Sequence, residues 1–147
     1  MRLEGIVVNL ELAKELKASS YPQETNFYWN DIAQKVTVKP ILMPAEELDF
    51  IEAHSTEDFK RTLGKGVFAA PIASEIGEHL PTTISGLDYM AITMERRNGK
   101  HVVRYPSTNN ELREIRFEDE TEANARAKMW LFLKQENLLL EQSQEKN

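Results

Sequence analysis

The dipeptide Asn98-Gly99, in the middle of "GLDYMAITMERRNGKHVVRYPS", constrains the fold of this chain more than any other feature. A two-residue type I′ turn needs φ > 0 at both central positions, and Asn-Gly adopts that geometry at the least steric cost. The turn predicts an antiparallel hairpin over 87–105 in one register: Arg97 opposite Lys100, Met94 opposite Val103, and Ile92 opposite Tyr105. Alternation then gathers Met90, Ile92 and Met94 with Val103 and Tyr105 on the expected core face, and puts Thr93, Glu95 and Arg104 on the other. Downstream, "ELREIRFED" sets Leu112, Glu114 and Arg116 against Arg113, Ile115 and Phe117, which reads as the third strand of a meander.

Helical spacing surrounds this sheet. After Asn9, a natural N-cap, "LELAKELKA" places Leu12, Ala13 and Leu16 on one face with Leu10 at its margin, while Lys14, Glu15 and Lys17 look outward. "FYWN" is a short aromatic strand candidate. "KVTVKPILMP" holds another, with Val36 and Val38 on one side, although Pro40 and Pro44 bar any long central strand. Residues 45–63 read either as one or two short helices or as a strand and a helix. "APIASEIGEHLP" (70–81) predicts a helix bracketed by prolines, with Pro71 in its first turn and Ile72, Ile76 and Leu80 at four-residue spacing. Gly77 weakens it by up to ~1 kcal/mol relative to alanine.

The closing segment, "DETEANARAKMWLFLKQENLLL", predicts a helix capped by Asp119 or Thr121. Ala123, Ala127, Trp130, Leu131 and Leu138 form the centre of its apolar arc, and Met129, Phe132 and Leu133 widen it. Small residues early and large ones late describe a core helix lying on a sheet. The arc is wider than one sheet face needs. Phe132, Leu139 and Leu140 are therefore the candidate contact with a second chain.

Composition narrows the function. The apolar share of 41% and charged share of 29% are those of a globular chain. With no cysteine, there is no disulfide, thiolate nucleophile or Cys-ligated zinc. A formal charge of −6, with acids spread evenly along the chain, runs against a nucleic-acid binder, which concentrates lysine and arginine. No stretch has the apolar core of a signal peptide or the ~18 apolar residues of a membrane span, so a cytoplasmic protein is expected.

Candidate chemistry is sparse. Glu75 and His79 share a helix face, yet a metal site wants three or four ligands and only Glu78, His54 or Glu52 could complete one. The acids Glu46, Glu47, Asp49, Glu52, Glu57 and Asp58 match no calcium-loop spacing and read as a solvated face. Asp88 and Glu95 lack the acid-x-Lys partner of a common nuclease core and face opposite sides by parity. The hairpin tip carries Arg96, Arg97, Lys100, His101 and Arg104, with Tyr89 and Tyr105 nearby, a modest footprint for phosphates. No catalytic, cofactor-binding or metal-ligating residue is assigned, and no cofactor is expected.

Three segments taken together, "LELAKELKASSYPQETNFYW", "APIASEIGEHLP" and "ANARAKMWLFLKQENLL", resemble a loose group of small uncharacterised proteins of bacteria, phages and prophages. The resemblance covers about half of the chain and leaves 31–69 unmatched. Ser19-Ser20 stands where the group tends to have a glycine, and Ile72 where it tends to have threonine. It implies an α+β fold and a mobile-element origin, and brings no catalytic residue with it.

The sequence thus predicts one α+β domain over 1–140, a mainly antiparallel sheet built around the 87–105 hairpin with helices packed on one face, and a frayed polar tail at 141–147. The leading functional expectation is a non-enzymatic interaction protein that binds a protein partner, or itself, through apolar surface near the C-terminal helix. The alternatives are nucleic-acid association through Arg96, Arg97, Lys100 and Arg104, and a metal-dependent enzyme built on carboxylates and histidine.

Overall fold

The computed structural model describes residues 3–31, 40–84, 89–108 and 113–139. Its contacts divide into two compact units, Met1–Ile72 and Ala73–Asn147. Each holds a three-stranded antiparallel sheet with helices packed on it, so the fold is α+β. The Val36/Val38 strand candidate and the 141–147 tail lie outside the described residues.

In the first unit, α1 (Leu10–Ala18) starts where Asn9 Oδ1 accepts the Leu12 N–H at 2.8 Å, and it buries Leu12, Ala13 and Leu16 as the spacing predicts. It stops at Ser20, whose φ is 68°. There the Ser20 N–H bonds to Lys17 O and the Tyr21 N–H to Leu16 O at 2.8 Å, the left-handed helix ending that favours glycine. An L residue pays about 1–2 kcal/mol for this conformation. Ser20→Gly is therefore expected to raise stability by roughly 0.5–1 kcal/mol once the extra freedom of the unfolded glycine is deducted. Thermal melts of Ser20→Gly and Ser20→Ala check it, and only the glycine variant should gain.

The aromatic run forms β1 (Phe27–Asn30), the central strand between β2 (Ile41–Pro44) and β3 (Val67–Ala69). Tyr28 pairs with Met43 and Ala69, and Trp29 with Leu42 and Phe68. Pro44 ends β2 and caps α2 (Ala45–Ala53); Thr56 Oγ1 then accepts the Phe59 N–H to start α3 (Glu57–Gly66). The ambiguous 45–63 stretch is thus two short helices. Leu48 and Leu63 from them meet Met43 and Val67 in one core cluster, flanked by Tyr28 and Ile51. Lys17 closes the C-terminal end of α3: its ammonium donates to the carbonyls of Gly64 and Val67 and lies 5.0 Å from the Phe68 ring centre. Burial there pulls its pKa below the usual lysine range.

The predicted helix over 70–81 is shorter than its spacing suggests. Residues 69–72 are spent on extended backbone: the Ala70 N–H bonds to Phe27 O, Pro71 O accepts the Val8 N–H, and Val7 bridges Ile72. Helix α4 (Ala73–Glu78) therefore begins after Pro71, with Ile76 buried beneath it.

In the second unit, β4 (Thr93–Arg97), β5 (Lys100–Tyr105) and β6 (Ile115–Asp119) form the meander in that order. Of the two predicted caps of helix α5 (Glu122–Gln135), Thr121 is the N-cap and Asp119 supports it from two residues before. Thr121 Oγ1 accepts the Asn124 N–H, and Asp119 accepts the Thr121 N–H and the Asn124 amide. Burial alone would raise the Asp119 carboxyl, but Lys128 at 2.9 Å and these two donors hold it below its ordinary value. The helix stops at Gln135 rather than running to Leu140. Asn137 takes a φ of 60°, and the Asn137 and Leu138 N–H groups fold back to Lys134 O and Leu133 O.

The width of the α5 apolar arc has a structural reason. One side packs on β5 and β6 and another on α4, so Ala123, Ala125, Ala127, Met129, Trp130 and Leu133 are all buried, while Leu131 and Phe132 are half-buried. The α4 crossing also accounts for Gly77. Arg126 Nη1 donates to Ala73 O at 2.7 Å and Nη2 pairs with Glu122, and a Cβ on Gly77 would collide with Nη1. Gly77→Ala is expected to cost about 1–2 kcal/mol, because a displaced charged hydrogen bond (~1.5–3 kcal/mol) outweighs the helix-propensity gain of up to ~1 kcal/mol. In an Arg126→Ala background the same change should become neutral or stabilising. Equal costs in both backgrounds, measured in urea, would remove Arg126 as the cause.

No described helix is long and apolar enough to cross a membrane.

Candidate interaction surfaces

The hairpin forms as its turn dictates. Asn98 and Gly99 have φ of 53° and 76°, and the ladder pairs Arg97 with Lys100, Met94 with Val103, and Thr93 with Arg104. The ladder ends at Thr93, so Ile92 does not face Tyr105 in it; the Ile92 N–H bonds to Thr82 O at 2.8 Å instead. Tyr89 and Ser107 make an isolated bridge further along. Met90 and Met94, expected on the core face, are exposed: Met94 sits on the edge strand β4, and Met90 precedes it, beyond the end of the ladder; the buried positions fall on β5, at Val102, Val103 and Tyr105.

Register puts Glu95, Arg97, Lys100, Val102, Arg104, Arg116 and Glu118 on the sheet face opposite Val103 and Tyr105. There the charges pair in sequence. Glu95 meets Arg97 at 3.3 Å and Arg104 at 3.2 Å, and Arg104 reaches Glu114 at 2.7 Å. Arg116 bridges Glu114 at 3.8 Å and Glu118 at 3.0 Å, and Lys100 lies 4.0 Å from Glu118. Val102 is buried beneath this network. Four bases stand against three carboxylates, which leaves little positive field for a phosphate backbone.

Arg96 differs from its neighbours. It points to the opposite face, is exposed, and makes no ion pair among the described residues. It borders a cleft of about 180 Å³ whose walls include Met94, His101, Val103 and Glu122. Glu122 is engaged by Arg126.

Of the candidate contacts at the end of the closing helix, Phe132 is half-buried, its ring centre 5.5 Å from that of Phe117. Leu139 is also half-buried beyond the helix end, and Leu140 lies outside the described residues. The more exposed large apolar side chains lie elsewhere. Ile41 is 58% exposed on β2 and Phe50 64% on α2, with Phe59, Ile6, Met90 and Met94 less so. Sequence reasoning missed Phe50 because Leu48 and Ile51 already supply the buried side of α2; its outward position follows from that pair only once the core is known.

The groups considered for metal chemistry are dispersed. His54 is tied to its own helix, stacking on Phe50 with ring centres 4.3 Å apart and donating from Nδ1 to Phe50 O. Glu57 and Asp58 pair with Lys60 and Arg61 one turn on. His79 lies past the end of α4, and its N–H bonds to Ile76 O. Among the described residues no three or more of His, Asp and Glu are placed to hold one ion. Asp88 lies outside the described residues, and Glu95 belongs to the charged sheet face.

No family model, no curated protein and no solved structure matches this chain.

Proposed function

We propose that this chain is a non-enzymatic interaction protein of bacterial or phage-like origin, cytoplasmic, which binds a protein partner or a second copy through apolar side chains that its own fold leaves uncovered. The exposure of Ile41 and Phe50 on the consecutive elements β2 and α2 carries this reading. An aromatic side chain in water forfeits a large burial term that a partner surface supplies. The end of α5, with Phe132 and Leu139 half-buried, is the second apolar surface in the proposal. The pairing of Arg97, Lys100 and Arg104 with carboxylates favours a protein partner over nucleic acid.

Capture from the native host and sedimentation at several concentrations test the reading, using wild type, Phe50→Ser and Phe132→Ala. Phe50→Ser should reduce complex formation while shifting stability by no more than ~0.5 kcal/mol, as surface substitutions do. Undiminished complexes in both variants would overturn the apolar contact. Salt-dependent binding to a DNA or RNA duplex would turn the assignment to the hairpin bases.

A further inference from the structure

The outer edge of β4 combines two features that recur where proteins take up extended peptides. The first is backbone that no other described strand pairs with. A two-residue hairpin makes Arg97–Lys100 a hydrogen-bonded pair, so the N–H and C=O groups of Thr93, Glu95 and Arg97 turn toward β5. Those of Met94 and Arg96 turn outward from the sheet. Thr82 O takes the Ile92 N–H and closes the edge on that side, so among the described residues the open stretch runs from Met94 to Arg96.

The second feature is the cleft beside it. Met94 and Arg96 project to the same sheet face as Val103 and His101, and with them and Glu122 they border the space of about 180 Å³. Met94 is 38% exposed there. Backbone pairing supplies affinity in strand addition, and pockets for alternate side chains supply specificity.

We infer that β4 accepts an extended segment of a partner protein as a fourth, antiparallel strand. Its side chain opposite Met94 is apolar and sits in the cleft. Its side chain opposite Arg96, two residues earlier, is a carboxylate. The charge choice follows from Arg96, a hairpin base without an ion pair among the described residues, while Glu122 is already held by Arg126. The residue between them faces Glu95 and so is not acidic. That last constraint also disfavours a second copy of β4. The symmetric register that pairs the outward groups of both strands sets Glu95 against Glu95, and like charges directly opposite are destabilising. This surface is separate from the Phe50 surface proposed above and stands or falls independently of it.

The probe is an acetylated, amidated Ser-Thr-Glu-Thr-Ile-Thr-Ser peptide, titrated into the ¹⁵N-labelled full chain. Amide shifts should centre on Met94, Arg96 and His101. Met94→Pro removes an outward N–H without cutting the ladder to β5, since proline is tolerated at such edge positions. It should weaken binding at least about tenfold, the loss of one good contact. Arg96→Glu should reverse the preference toward the same peptide with lysine in place of glutamate. Phe50→Ser should change nothing. No shifts at the highest soluble peptide concentration would overturn the inference, as would unchanged affinity in a folded Met94→Pro chain or a concentration-dependent dimer that excludes the peptide.

Discussion

Trp130→Ala is expected to unfold or nearly unfold the second unit. Trp130 is 5% exposed in the middle of α5, between Ala127 and Leu133, which are fully buried. Truncating a buried aromatic removes its transfer energy and leaves a cavity that a helix held by both a sheet and α4 cannot readily collapse. The expected cost is ~3–5 kcal/mol, against a total of about 5–15 kcal/mol for a domain. Phe132→Ala is the control. Phe132 is half-buried and loses one tilted ring contact, to Phe117, so its cost should be about 1–2 kcal/mol. Urea melts followed by far-UV circular dichroism rank the two. A larger loss for Phe132→Ala would mean that α5 turns Phe132, rather than Trp130, into the core.

Tyr105 gives the second large effect. Its side chain is fully buried, and its hydroxyl donates to Pro81 O at 2.5 Å. Tyr105→Ala should cost ~3–5 kcal/mol as a deleted core aromatic. Tyr105→Phe should cost about 1–3 kcal/mol, because it keeps the ring but strands a buried carbonyl. The hydroxyl also makes stability depend on alkaline pH. Burial raises its pKa above the ordinary tyrosine value of 10.0. Above that pH the unfolded chain has released a proton that the folded chain still holds. The stabilisation from keeping Tyr105 neutral is therefore complete below pH 10 and lost as pH climbs beyond it, by up to ~1.4 kcal/mol per unit. Denaturation midpoints measured from pH 8 to 11 should fall more steeply for wild type than for Tyr105→Phe. Parallel curves would mean that Tyr105 does not ionise on unfolding.

Local chemistry could be read directly along the chain. The Asn98-Gly99 turn determined a register that the ladder keeps from Arg97–Lys100 to Thr93–Arg104, because positive φ at two adjacent residues permits one strand offset. Asn9 and Thr121 were legible as caps because each side-chain oxygen acts on an N–H three residues on. The buried face of α1 followed from helical spacing alone. The candidate surfaces were less legible. Lys100 and Arg104 look like part of an open basic tip until the third strand and the residue before it bring Glu118 and Glu114 against them, a register that the spacing of the hairpin does not encode.

Tertiary structure decided the rest, and in each case a distant segment claims a group that local sequence leaves uncommitted. Pro71 could open a helix by its own geometry, but pairing with Val8 keeps it extended. Gly77 reads as a weak point in a helix until Arg126, forty-nine positions on, occupies the space a side chain would need. The wide apolar arc of α5 reads as surplus until α4 covers part of it. Propensity, capping and turn geometry act over three or four residues and belong to the sequence. Which neighbour takes an apolar face, a charge or an unpaired backbone group is settled only when segments far apart in the chain compete for the same surface.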